Sequence, residues 1–233
     1  MLSNAGQLQA IIFDADGTLY RQDRLRLNIL LRLFAAHCTK PSAGWQTLRI
    51  IRAYRAAQEA LRGFQGSTDL AALQIMRTCQ STGHSRERVE QCVKQWMETE
   101  PLDLLRKELL PGLLEFLAVA RSREILLGIF SDYPAMRKIE AMGIQQFFQA
   151  VVSATDPDVQ EFKPGPRGLE VALQRLGVKP ANALYVGDRP EADAAAAARA
   201  GVRCAILGRA AGMHKDGWVS APTYRALQGE IFG

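Results

Sequence analysis

The chain has 233 residues, of which 48% are hydrophobic and 23% charged, with a formal net charge of +5. This is ample for a packed core and ordinary for a soluble protein, while no stretch approaches the ~20 apolar residues of a membrane span. The residues from Met1 to Gln9 lack the basic start and apolar centre of a signal peptide, so a cytoplasmic protein with no membrane partner is expected.

The first predicted element is a short strand. Ile11-Ile12-Phe13 is too short a run for a helix, and its β-branched and aromatic residues suit a buried strand. It stops in Asp14-Ala15-Asp16-Gly17-Thr18, with two carboxylates two residues apart. Acids this close repel each other and need a cation or a shared proton. A divalent metal is one solution. An Asp-Gly turn with both acids facing water is the bland alternative.

From about Arg21 to Arg106 the chain reads as helical. Leu25, Leu27, Leu30, Leu31, Leu33 and Phe34 form one apolar cluster; Leu48, Ile51, Tyr54 and Leu61 mark a second helix over Trp45–Arg62. A third carries Leu70, Leu73, Ile75 and Met76 behind a Ser67-Thr68-Asp69 cap region, and Ser85 caps a fourth with Val89, Cys92, Val93 and Trp96 inward. Breaks fall at Lys40-Pro41-Ser42, Gly63–Gly66 and Ser81-Thr82-Gly83. Four amphipathic helices are too much for a loop and predict a separate small bundle. Arg49, Arg52 and Arg55 recur every three residues on the second helix, and a solvated face is favoured over a basic binding face. Tyr54 and the three tryptophans read as packing residues.

Beyond Leu110 strands and helices alternate. Leu113–Ala120 is helical, Ile125–Phe130 a strand ending in Ser131-Asp132, Met136–Met142 a helix, and Ala150–Ser153 a third strand. Gly168–Leu176 is a helix, Ala183–Val186 a strand ending in Gly187-Asp188, Ala192–Ala200 an Ala-rich helix, and Arg203–Leu207 a fifth strand. Short links between alternating elements predict an α/β fold, a Rossmann-like parallel sheet core covered by helices on both faces. Strand-end placement then brings Ser131, Lys163, Asp188 and Asp193 towards Asp14 and Asp16. Cys38, Cys79, Cys92 and Cys204 have no zinc-ligand spacing and are expected to be free buried thiols, and His37, His84 and His214 are isolated.

These residues, in this order, closely resemble the haloacid dehalogenase-like hydrolase superfamily. The signatures are Asp14-Ala15-Asp16-Gly17-Thr18, then Ser131, then Lys163-Pro164, then Gly187-Asp188 with Asp193. The resemblance implies a core domain of residues 1–19 and 108–233 and an inserted all-helical cap domain, of the family's first cap type, over 20–107. It implies a Mg2+-dependent phosphatase acting on a small organophosphate. Asp14 would be the nucleophile that forms an aspartyl-phosphate, and Asp16 the general acid and base. Mg2+ would be held by Asp14, the Asp16 backbone carbonyl, Asp188 and Asp193. Lys163 would offset charge and orient the nucleophile, with Thr18 and Ser131 binding phosphoryl oxygens.

An acid at position 16 favours phosphate-ester cleavage over dehalogenation, which needs no proton donor. Asp132 stands where many relatives have a neutral residue, and is expected to face away from phosphate, towards a helix N-terminus. A phosphomutase on the same site and a catalytically silent binding protein are the alternatives. The arginine-rich insertion carries no recognisable nucleic-acid motif, so no nucleic-acid partner is expected. Monomer and homodimer both remain open.

Overall fold

The computed structural model describes residues 8–64, 69–214 and 217–233. After β1 (Ala10–Phe13) come five helices: α1 (Gln22–Ala36), α2 (Pro41–Ala60), α3 (Leu70–Thr82), α4 (Arg86–Val93) and α5 (Leu102–Leu105). A π-helical segment, Lys94–Thr99, joins the last two. Next come α6 (Leu113–Ser122), β2 (Leu126–Ser131), α7 (Met136–Met142), β3 (Ala150–Ser153) and α8 (Arg167–Leu176). The chain closes with β4 (Ala183–Gly187), α9 (Ala195–Arg199), β5 (Arg203–Leu207), β6 (Gly212–Met213), β7 (Val219–Ala221) and α10 (Tyr224–Phe232).

The strands form one sheet in the order β3-β2-β1-β4-β5-β7-β6, parallel except for the β6–β7 pair. β1 is central and fully buried because both of its faces are covered. Ile11 and Phe13 pack with α6, α7 and α10, while Ala10 and Ile12 pack with α8 and α9. The chain moves from β1 to β2 and β3 on one side, then resumes with β4 on the other. That reversal opens a crevice at the carboxyl ends of β1 and β4, the place where ligands bind in such sheets. The α/β reading of the sequence therefore holds, helices on both faces included.

The helical insertion has a core of its own, including Leu33, Ile50, Tyr54, Ile75, Val89 and Trp96. Its ends are anchored elsewhere: Leu25 and Leu105 belong to the cluster beneath the sheet. Two predicted caps form, with Asp69 accepting the Ala72 N–H at 3.0 Å and Ser85 the Arg88 N–H at 3.3 Å. Ser67, Thr68 and Gly66 lie outside the described residues.

Several expectations need correcting. Leu27, Leu31 and Phe34 stay exposed, because α1 lies on the edge of the insertion and buries only Leu25 and Leu33. Trp45 is exposed as well, and so is Cys38, while Cys92 and Cys204 are buried. The predicted Ala-rich helix starts as a π-helical turn, Pro190–Ala194, before α9. The sequence reading ends at β5 and assigns no element to β6, β7 or α10. No helix among the described residues is long and apolar enough to cross a membrane.

α10 matters to the site despite its distance in sequence. The Tyr224 hydroxyl is buried and donates to the Thr18 carbonyl at 2.8 Å, holding the loop after β1. Tyr224→Phe leaves that buried carbonyl without its donor and is expected to lower stability by about 1–3 kcal/mol. Urea unfolding checks this; an unchanged midpoint would remove α10 from the supports of the Asp14 loop.

Candidate active site

Six of the seven residues singled out in the sequence line one cavity of about 640 Å3: Asp14, Asp16, Ser131, Lys163, Asp188 and Asp193. Each comes from the carboxyl end of a strand, the loop after it or, for Asp193, the helical turn that follows, so parallel pairing brings them together. The Asp14 N–H donates to the Val186 carbonyl at 2.8 Å, locking the ends of β1 and β4. Gly17, at φ +96°, allows the loop to turn beneath Asp188, and a Cβ there would overlap the Asp188 carboxylate. Gly187 is similarly close to Asp193.

Lys163 is the hub. Its buried Nζ donates to Asp14 Oδ1 at 2.6 Å and to Asp193 Oδ1 at 2.7 Å, with Tyr185 Oη at 3.2 Å. Burial opposes its charge, but Asp14 and Asp193 outweigh burial and hold its pKa well above the usual lysine value. The Asp14 carboxyl is pushed well above the ordinary carboxylate range by burial, against the pull of Lys163, with the charges of Asp193, Asp188 and Asp16 adding to the rise. Asp188 is raised to about 6 by burial and by Asp193. Asp193 Oδ2 accepts the backbone N–H groups of Asp188 and Arg189 at 3.1 and 2.9 Å. Among the described residues, the Asp188 carboxylate accepts no hydrogen bond.

Ligand oxygens of Asp14, Asp188 and Asp193 all lie within 4.8 Å of one another. Oxygens facing each other across a six-coordinate divalent ion such as Mg2+ stand about 4.2 Å apart. The three carboxylates therefore fit a hard metal ion in both chemistry and spacing. Such an ion would also relieve the repulsion that raises Asp14 and Asp188.

Asp16 is in a different situation. Its Oδ1 takes the Lys138 ammonium at 2.5 Å and the Tyr20 hydroxyl. Burial favours its neutral form, but Lys138 and Tyr20 overcome this and lower its pKa. Neither partner was found by sequence reasoning. Lys138 is an ordinary lysine on α7, 122 residues away along the chain, and only the β1–β2 pairing puts it beside Asp16.

Thr18 is the predicted site residue that does not reach the cavity wall. It is fully buried, and its hydroxyl faces Asp14 Oδ2 at 3.4 Å. Ser131 is in the wall, where its Oγ accepts the Tyr133 N–H at 3.3 Å.

Asp132 lines the same cavity, and its carboxylate does not reach a helix N-terminus. Its Oδ1 accepts the Lys163 backbone N–H at 3.0 Å, and its Oδ2 takes Gln58 Nε2 at 3.0 Å and Arg62 Nη2 at 2.8 Å. Arg62 also donates to the Lys163 carbonyl. An ion pair between the end of α2 and the loop after β2 thus grips both backbone groups of Lys163. A backbone N–H, a side-chain amide and a guanidinium satisfy the Asp132 carboxylate better than a distant helix end. Of the arginine stripe, Arg49 donates to the Thr82 carbonyl, while Arg52 and Arg55 stand in the cavity wall. The solvated-face reading is thus incomplete.

The chain is similar to known proteins of one family. The chain is 29% identical over 199 residues to a glyceraldehyde 3-phosphate phosphatase of Methanopyrus kandleri, covering 84% of this chain and 82% of that protein. It is 25% identical over 200 residues to phosphoglycolate phosphatase 1 of Pseudomonas aeruginosa, covering 84% and 68%. The crystal structure of a 2-haloacid dehalogenase from Pseudomonas syringae shares the fold, with a TM-score of 0.66 at 18% identity over 96% of this chain and 97% of that one. Residues 8–201 match the profile of the haloacid dehalogenase-like hydrolases, and the chain is a member of that family.

Proposed function

We propose that the protein is a Mg2+-dependent phosphatase that hydrolyses a small phosphate monoester through an aspartyl-phosphate on Asp14. The observation that carries this is the meeting of a nucleophile, a second acid, a buried lysine and a three-carboxylate cluster in one cavity. The names of relatives that act on glyceraldehyde 3-phosphate and phosphoglycolate support the substrate class.

In the first step an Asp14 carboxylate oxygen attacks phosphorus while the ester P–O bond breaks, and the leaving oxygen takes the Asp16 proton. In the second, water attacks phosphorus, Asp16 takes the water proton, and the P–O bond to Asp14 breaks to release phosphate. Lys163 holds Asp14 in place and offsets the charge around it. Ser131 faces the transferring phosphoryl oxygens. Thr18, hydrogen-bonded to Asp14, acts as a positioning group. Asp14, Asp188, Asp193 and the Asp16 carbonyl would hold Mg2+, which when bound neutralises charge on the transferring phosphoryl group. The helical insertion, residues 20–107, serves as a cap domain that walls the cavity opposite the sheet.

Asp14→Asn removes the nucleophile. It is expected to abolish Mg2+-dependent hydrolysis of p-nitrophenyl phosphate, a loss of at least about a thousandfold. Steady-state assay of both proteins decides; comparable rates would end the aspartyl-phosphate reading.

The raised Asp188 pKa gives a second expectation with a definite sign. With a folded-state pKa of about 6, Asp188 keeps a proton in the metal-free fold that the unfolded chain loses near pH ~4, so its contribution to metal-free stability declines as pH rises towards 6. Metal needs the deprotonated form. The rise in Tm on adding Mg2+ should be large above about pH 7 and shrink as pH falls through 6. Thermal melts with and without the ion test this, and a pH-independent shift would contradict it.

The grip on Lys163 is testable separately. Arg62→Gln keeps some hydrogen bonding but leaves Asp132 without its charge partner. We expect kcat to fall roughly tenfold with KM changed far less, since Lys163 acts on the nucleophile and not on substrate affinity. An unchanged kcat would make the contact merely structural.

A further inference from the structure

The cavity wall carries more positive charge than the transferring phosphoryl group can use. Four guanidiniums line it, Arg26 from α1, Arg52 and Arg55 from α2, and Arg137 from α7, and among the described residues none has a hydrogen bond or an ion pair. The other cations of the wall are taken. Lys138 is on Asp16, Lys163 on Asp14 and Asp193, Arg62 on Asp132 and Glu59, and Arg189 on Glu59 and Glu191. Outside these pairs and the metal-type cluster, Glu98 is the wall's remaining acid among the described residues.

Arg26 and Arg55 act on one another, and both act on the groups around Asp16. Partial burial and the like charge of Arg26 both lower the proton affinity of Arg55, while Tyr133 and Asp16 act the other way, and both arginines stay open to solvent. Two unpaired guanidiniums that repel one another beside Asp16 gain most from an anion placed between them. Arg presents planar donors suited to a carboxylate or a phosphate. Beside them the Tyr133 hydroxyl is buried with no hydrogen-bond partner, on a ring stacked 6.3 Å from that of Tyr54. A buried hydroxyl without a partner is costly unless a ligand completes it.

We infer that Arg26 and Arg55, with the Tyr133 hydroxyl, form a second anion subsite in the catalytic cavity, so that the substrate is a phosphate monoester whose alcohol part carries another carboxylate or phosphate. This rests on the phosphatase reading. The reacting phosphoryl group sits on Asp14 and Ser131, and the second anion faces α1 and α2. Neutral alcohols leave two guanidiniums unpaired and bind poorly.

Three probes on a shared two-carbon skeleton test it on the full-length protein with Mg2+: 2-phosphoglycolate, 1,2-ethanediol bisphosphate and the neutral 2-hydroxyethyl phosphate. At least one anionic probe should exceed the neutral one in kcat/KM by roughly tenfold to a hundredfold, and the better of the two identifies the second group. In the R26Q/R55Q double variant that ratio should collapse to within about threefold, chiefly through KM. Equal turnover of all three by a protein that hydrolyses p-nitrophenyl phosphate, or an undiminished ratio in the double variant, would overturn the subsite and leave the phosphatase standing. If neither these probes nor p-nitrophenyl phosphate is turned over, the phosphatase reading fails by itself. The subsite is then judged by thermal shift. Greater stabilisation by 2-phosphoglycolate than by 2-hydroxyethyl phosphate, lost in R26Q/R55Q, keeps it; equal shifts dismiss it.

Discussion

Four carboxylates, Asp14, Asp16, Asp188 and Asp193, share the end of one sheet crevice, and their mutual repulsion is the constraint that the surrounding structure answers. Burial makes the repulsion worse, since water is not there to screen it. The protein supplies two ammonium groups, Lys163 for Asp14 and Asp193 and Lys138 for Asp16. It supplies backbone N–H groups for Asp193. Asp188 receives neither, and it is the carboxylate raised to about 6. The position left uncompensated by protein is thus one that a divalent ion could complete.

Holding Lys163 in place is as important as having it. A buried lysine whose backbone could drift would lose two short ion pairs together. The ring formed by Asp132, Arg62 and the Lys163 peptide groups prevents this, and one member of the ring belongs to the helical insertion. Glu59 extends the link by joining Arg62 to Arg189, the residue after Asp188. The end of α2 is therefore tied to the loops after β2, β3 and β4 at once. A displacement of that helix reaches Lys163 through these contacts. Partly buried ion pairs suit such a joint, because their strength depends steeply on geometry.

What the sequence made legible follows from the same physics. β1, β2, β4 and β5 are apolar runs bounded by glycines and acids, and burial on both faces produces that pattern. Asp14, Ser131 and Asp188 were legible because each ends or directly follows such a run, whereas Lys163 and Asp193 were legible only through the order of the motifs. Lys138 and Tyr20 were not, because they meet Asp16 through strand pairing and loop shape, with no motif spacing to announce them. β6 and β7 are two and three residues long, too short for any periodicity to register. The apolar cluster of α1 was overread: composition placed Leu27, Leu31 and Phe34 in a core, but the helix has a neighbour on one side only. Asp132 was read by local charge alone, whereas its partners lie 31, 70 and 74 positions away along the chain.

The pairing of Asp16 with Lys138 bears on how one carboxyl can serve as acid and then as base. At rest the lysine and Tyr20 hold Asp16 ionised, the wrong form for protonating a leaving oxygen. A phosphate ester entering the cavity brings negative charge beside Asp16 and draws on the same ammonium, and both changes raise its proton affinity. After the alcohol departs, less charge remains nearby and Lys138 is again available, so Asp16 returns towards the ionised form that accepts a proton from water. Lys138 in this scheme touches neither the transferring phosphoryl group nor the nucleophile. It sets the resting protonation of Asp16, the proposed acid and base, and substrate charge would provide the switch.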